Sequence, residues 1–144
     1  MDIYLQNTII DDLQFTDADI SLYVALRSLY QSTRIEQVIT FNMIMYELYG
    51  STGFKRAAQE KIGESFKKFA DMELITVKEK FPGNEYVVDL SNIYFEGGIG
   101  SYYTVIRDSE VHTIMNMDNK MDKFKLLRYY IVCLESINKS QGVY

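Results

Sequence analysis

The sequence predicts a mainly helical α+β fold. Apolar residues recur at helical spacing in three segments of the first half of the chain. The period switches to two on either side of Pro82-Gly83-Asn84. A further amphipathic stripe closes the chain. At 144 residues and 47% hydrophobic, the sequence is long enough and apolar enough for a real core.

Residues 1–15 mix apolar and polar positions and read as a short strand or a packed arm. Thr16 is suited to accept a backbone N–H at a helix start, and Asp17 and Asp19 suit the positive end of its dipole. Ile20, Tyr23, Val24 and Leu26 to Tyr30 carry that helix to about Gln31, where Ser32-Thr33-Arg34 breaks it. Val38-Ile39 spells a very short strand. Thr40 is a second N-cap, followed by Ile44, Met45, Leu48 and Tyr49 in a short helix that Gly50 ends. A third helix spans about Phe54 to Met72, with Ala58, Ile62, Phe66 and Phe69 as its buried line. LITVKEKF and EYVVDL then alternate around the turn cluster, which predicts a hairpin. Two short helices, a longer helix and a hairpin are the order of a winged helix-turn-helix domain.

Beyond it, NIYFEGGIGS is a Gly-rich connection and YYTVIR a strand. Asp108 or Ser109 begins a short helix, and DKFKLLRYYIVCLESINK forms a last one. Residues 1–90 are therefore read as a winged-helix domain with an N-terminal arm. Residues 91–144 are a strand plus C-terminal helices, either a C-terminal helical extension or the start of a second winged helix.

The net charge of −5 and pI near 4.9 argue against indiscriminate coating of nucleic acid. Charge is unevenly placed, however. Residues 55–80 hold seven basic residues against five acids, a local net of +2, leaving −7 for the remainder. The N-terminus lacks a positive region before an apolar run, no stretch approaches a membrane span, and the lone Cys133 has no partner for an internal disulfide. These features point to a reduced, cytoplasmic setting and away from a membrane.

Enzymatic motifs fail on spacing. A phosphate-cradling P-loop needs G-x-x-x-x-G-K-[ST] after a strand. Here Gly50 and Gly53 are too close, Phe54 precedes Lys55, and Arg56 stands where a hydroxyl should be. His112 is the only histidine, with nothing arranging a triad around it, and Cys133 reads as a small core residue. One His and one Cys make no standard zinc site, and the early aspartate pairs lack an EF-hand's Gly and terminal Glu. The expectation is a protein that is not an enzyme and takes no cofactor or metal.

DNA binding is the chemistry that fits. In a helix-turn-helix the first residues of the second helix reach base edges, which nominates Ser51, Thr52, Lys55, Arg56 and Gln59. Thr33, Arg34, Lys78, Lys80 and Asn84 are candidates for the phosphate backbone, with the spacing of Lys78 and Lys80 placing both on one strand face. Lys120, Lys123, Lys125 and Arg128 form a second basic cluster at the last helix. Glu60, Glu64 and Asp71 on the outward face of the third helix count against DNA, because carboxylates repel phosphate. They favour the competing reading, a module for protein–protein interaction or dimerisation. The stripe of Phe124, Leu127, Ile131 and Leu134 is the expected dimer interface, unless it is simply core.

The runs TFNMIMYELYG and FKRAAQEKIGESFKKFADMELITV resemble the winged-helix domains of replication and regulatory proteins from Gram-positive plasmids and phages. The resemblance covers about residues 16 to 90. FKLLRYYIVCLESINKS is similar to the first helix of a second such domain, as in two-domain plasmid initiators; read that way, the sequence belongs to a longer protein. The resemblance implies sequence-specific binding of double-stranded DNA in replication initiation or its control on a mobile element, with transcription regulation close behind.

Overall fold

The computed structural model describes residues 1–31, 33–51, 53–93 and 102–140. The order is β1 (Asp2–Gln6), α1 (Asn7–Ile10), α2 (Asp17–Leu29), β2 (Glu36–Thr40), α3 (Phe41–Tyr49), α4 (Arg56–Asp71), β3 (Thr76–Phe81), β4 (Glu85–Asp89), β5 (Tyr103–Arg107), α5 (Asp108–Met115) and α6 (Lys123–Ser140). This is an α+β fold, about half helical, with six helices and two small antiparallel sheets among the described residues. The Gly-rich stretch 94–101, read above as a connection, lies outside the described residues.

Helix α2 is the centre of the core. Thr16 Oγ1 accepts from the Asp19 N–H at 3.1 Å, and the Asp19 carboxylate accepts from the Thr16 N–H at 2.9 Å, so two of the free donors at the helix start are used. Ile20, Leu22, Tyr23, Val24, Ala25 and Leu26 are all buried, which is the signature of a helix surrounded rather than laid on a surface. The helix stops at Leu29, short of the predicted Gln31, because the buried Gln37 of β2 takes over its end. Gln37 donates to the Leu29 carbonyl at 2.8 Å and accepts from the Gln31 N–H at 2.9 Å.

The three-stranded sheet has the order β2-β4-β3, all antiparallel. Gly83 and Asn84 both take positive φ at the β3–β4 reversal, as the turn cluster anticipates. The two-stranded sheet pairs β1 with β5, from Asp2 opposite Arg107 to Gln6 opposite Tyr103. The Tyr23 hydroxyl accepts from the Gln6 N–H at 3.0 Å and fixes the end of β1 to α2.

Helix α3 begins at the Thr40 cap, whose hydroxyl accepts from the Met43 N–H at 3.0 Å, and ends at Gly50 with φ +68°. Helix α4 buries Ile62, Phe66 and Phe69 and half-buries Ala58, the line read from the sequence. Phe66 stands against both Phe41 and Tyr86, with ring centroids 5.4 and 4.8 Å away. Helix α5 starts at Asp108, and its cap falls one residue earlier than the expected Asp108 or Ser109. Its N-cap is Arg107, whose N–H is accepted by the Glu110 carboxylate at 3.1 Å. The Tyr130 hydroxyl of α6 donates to the Glu110 carboxylate and so ties α6 to α5. That bond, with some burial, pushes the Tyr130 pKa up to about 12.

The expected dimer stripe requires correction. Phe124, Leu127 and Ile131 are buried in the chain's own core, where α6 meets α2, α5 and β5, and Leu134 is half-buried against the same cluster. An apolar helix stripe needs one dry surface to face, and α2 supplies it without a second copy.

Candidate nucleic-acid interface

The α3–α4 connection is seated from below by α5. The His112 ring Nε2 lies 2.9 Å from the Glu47 carbonyl oxygen. A carbonyl only accepts, so Nε2 carries the proton and donates. Asn116 Nδ2 donates to the Tyr49 carbonyl at 2.7 Å. His112 of α5 and Asn116 at its C-cap thus satisfy the last carbonyls of α3, which no further helical turn would reach. Gly50 is required twice over. Its φ is left-handed, and a Cβ there would stand 2.9 Å from the His112 ring. His112, considered in the sequence for a catalytic triad, holds the turn instead.

Helix α4 begins at Arg56, beyond this turn. Lys55 is its N-cap and makes no side-chain cap. Of the nominated base-contact residues around the start of α4, Ser51, Lys55 and Arg56 are exposed and Gln59 is half-buried; Thr52 lies outside the described residues. Arg56 leaves 91% of its side chain in solvent and pairs with Glu60 at 3.3 Å. The outward face continues through the exposed Glu60, Glu64, Lys67 and Asp71, so acids occupy it as the sequence predicts.

The backbone candidates are spread over separate places. Thr33 and Arg34 are exposed in the α2–β2 connection, and Asn84 is exposed at the hairpin tip. Lys78 and Lys80 do not follow simple alternation. A bulge falls between Val77, which opposes Val88, and Glu79, which opposes Val87, and Lys78 is the residue inserted there. A bulge interrupts the period of two, so spacing alone no longer assigns both lysines to one face. Lys80 opposes Tyr86, and its ammonium sits 5.9 Å from that ring's centroid.

Two basic residues belong to the fold instead, Lys68 of the 55–80 count and Arg128 of the second basic cluster. Lys68 Nζ donates to the Asp19 carboxylate at 2.6 Å and to the Gln14 carbonyl at 2.7 Å, and lies 5.7 Å above the Phe15 ring. Burial pushes the Asp19 carboxyl up, but hydrogen bonds from Lys68, Ser65 and the Thr16 N–H outweigh it and hold the group below its usual range. Arg128 Nη1 donates to the Phe15 carbonyl at 2.5 Å and lies 3.4 Å from Asp17.

A feature that sequence spacing did not reveal is a cleft of about 640 Å³ between the start of α4 and the α5–α6 connection. Lys55 and Lys61 line one side and Lys120 and Lys123 the other. The sequence groups Lys120 with the last helix, and no local pattern brings it to Lys61.

Among the described residues, no group of three or more His, Cys, Asp or Glu side chains is placed to hold a metal ion, and no helix is long and apolar enough to cross a membrane. Cys133 is half-buried. No protein-family model, curated protein or solved structure matches the chain.

Proposed function

We propose that this protein is a winged helix-turn-helix protein that binds double-stranded DNA through α4, with the β3–β4 hairpin as the wing. The observation that carries the reading is the arrangement α2-β2-α3-α4-β3-β4 around a β2-β4-β3 sheet, with Gly50 turning the chain so that Lys55 and Arg56 emerge exposed at the start of α4. In this reading α4 enters the major groove. Arg56 suits a guanine edge and Gln59 an adenine edge. Arg34, Lys80 and Asn84 hold the backbone. The role is replication initiation or control on a mobile element, or transcription regulation, and it involves no catalysed reaction.

The test is fluorescence anisotropy with duplex DNA at several salt concentrations. Binding should fall steeply with salt. Arg56→Ala should weaken specific binding by about 1–3 kcal/mol, while Lys80→Ala should weaken all sequences alike and flatten the salt slope by about one. Absence of binding at the lowest salt sinks the proposal. The specific observation favouring a second reading is the Arg56–Glu60 pair amid Glu64 and Asp71, which leaves the outward face of α4 without net positive charge. An α4 used for docking a protein partner would show wild-type DNA behaviour in both variants and a partner lost on Arg56→Ala.

A further inference from the structure

We propose that the α5–α6 connection, residues 116–122, is a second edge of the DNA interface, holding the sugar–phosphate backbone in the cleft it forms with α4. The proposal rests on the reading of α4 as the DNA-contacting helix and extends it to a flank that no residue of the hairpin lines.

Four lysines and two acids, Asp118 and Asp122, line the cleft, a local excess of positive charge on a chain whose net charge is −5. The lysines have different tasks. Lys123 Nζ donates to the Asn119 carbonyl at 2.9 Å, to the Asn119 side-chain oxygen at 2.7 Å and to the Met121 carbonyl at 2.9 Å. All three of its donors go to holding the connection in shape. Asp122 is likewise committed, accepting from the Phe124 N–H at 3.0 Å at the start of α6. Lys55, Lys61 and Lys120 are exposed and make no ion pair among the described residues. Lys55 and Lys61 therefore face Lys120 across the cleft, three cations without acid partners, and the connection that carries Lys120 is held by its own hydrogen bonds. At about 640 Å³ the cleft takes several groups rather than a single ion. Lys55 belongs to both the start of α4 and the cleft, so a strand held there is continuous with the base-contact surface. Phosphates spaced along a backbone are the anions that match cations spread over both walls.

The experiment compares wild type, the Lys61→Ala/Lys120→Ala double variant and Lys125→Ala in duplex-DNA anisotropy titrations across salt. Lys125 is exposed on α6 and outside the cleft, so it controls for net charge. The double variant should bind every duplex more weakly, with the slope of log K against log salt reduced by about two, one per lost phosphate contact. Lys125→Ala should keep the wild-type slope. If the double variant keeps that slope while Arg56→Ala weakens binding, the cleft has no such role and the α4 reading stands. If Lys125→Ala flattens the slope as much per charge, net charge explains the effect and the proposal falls. If wild type binds no duplex at the lowest salt, both readings fall together.

Discussion

Arg56 and Lys68 stand on the same helix, each beside a carboxylate, and differ in what surrounds them. Arg56 and Glu60 meet at 3.3 Å with most of both side chains in water. Lys68 and Asp19 meet at 2.6 Å, and the Asp19 side chain is only 2% exposed. Water screens the first pair, and an exposed pair of this kind contributes about 0–1 kcal/mol. The second pair ties α4 to the start of α2 and also closes the Thr16 capping box. One flank of α4 thus uses its cation to build the fold, while its outer end keeps a cation that is nearly free to change partners. Counting basic residues along a sequence does not separate these fates.

The comparison is broken most severely from the inner face. Phe66→Ala removes the ring packed against both Phe41 and Tyr86 and should cost about 3–5 kcal/mol in urea denaturation. A smaller loss would mean that α4 is not anchored there. Asp19→Ala should cost about 2–3 kcal/mol, through the lost cap and the lost partner of Lys68. It stays below the cost of removing Phe66 because Lys68 keeps about a third of its side chain in water and can turn outward.

Asp19 also predicts an acid limb. Its folded pKa lies below the ordinary carboxylate value, so the unfolded chain binds its proton first. Its contribution is complete above the unfolded pKa, near 4, and is lost as pH falls through the folded value. Urea midpoints of wild type should therefore drop on acidification below about pH 4, and Asp19→Asn should remove part of that drop. An unchanged acid limb would show that Lys68 does not hold the carboxylate.

On the outer end, Arg56→Ala should change stability by less than about 0.5 kcal/mol, since nothing buried depends on it. If it cost as much as Asp19→Ala, the contrast between the two pairs would collapse. The smallest effect belongs to Glu60→Gln. It releases Arg56 and should tighten duplex binding at low salt by a few-fold, with stability altered by only about 0.3–0.5 kcal/mol.

Local chemistry was legible in the sequence. Thr16 and Thr40 announced helix starts, Gly50 announced an end, and Pro82-Gly83-Asn84 announced a reversal, because each acts through its own backbone neighbours. The buried line of α4 was legible because a helix face depends only on spacing. What stayed hidden was tertiary. The stripe of α6 could not say whether α2 or another molecule would cover it. Lys120 gave no sign of its distance from Lys61, and His112 no sign that it would lie under Gly50. The bulge at Lys78 depends on how β3 meets β4, and VKEK reads as plain alternation.

The pairing of β1 with β5 has a consequence for how the molecule is made. Ile3 and Leu5 are buried in the finished fold, and the strand that hydrogen-bonds to theirs begins at Tyr103. At ordinary rates of translation the ribosome needs roughly 5–20 s to add the hundred or so residues between them. Throughout that interval the edge of β1 that pairs with β5 has no partner strand. Nascent chains stalled before Tyr103 should be cut by protease within β1, and chains stalled after α6 has left the ribosome should resist. β1 is thus made well before its partner strand, and the growing chain must stay unaggregated until the two pair.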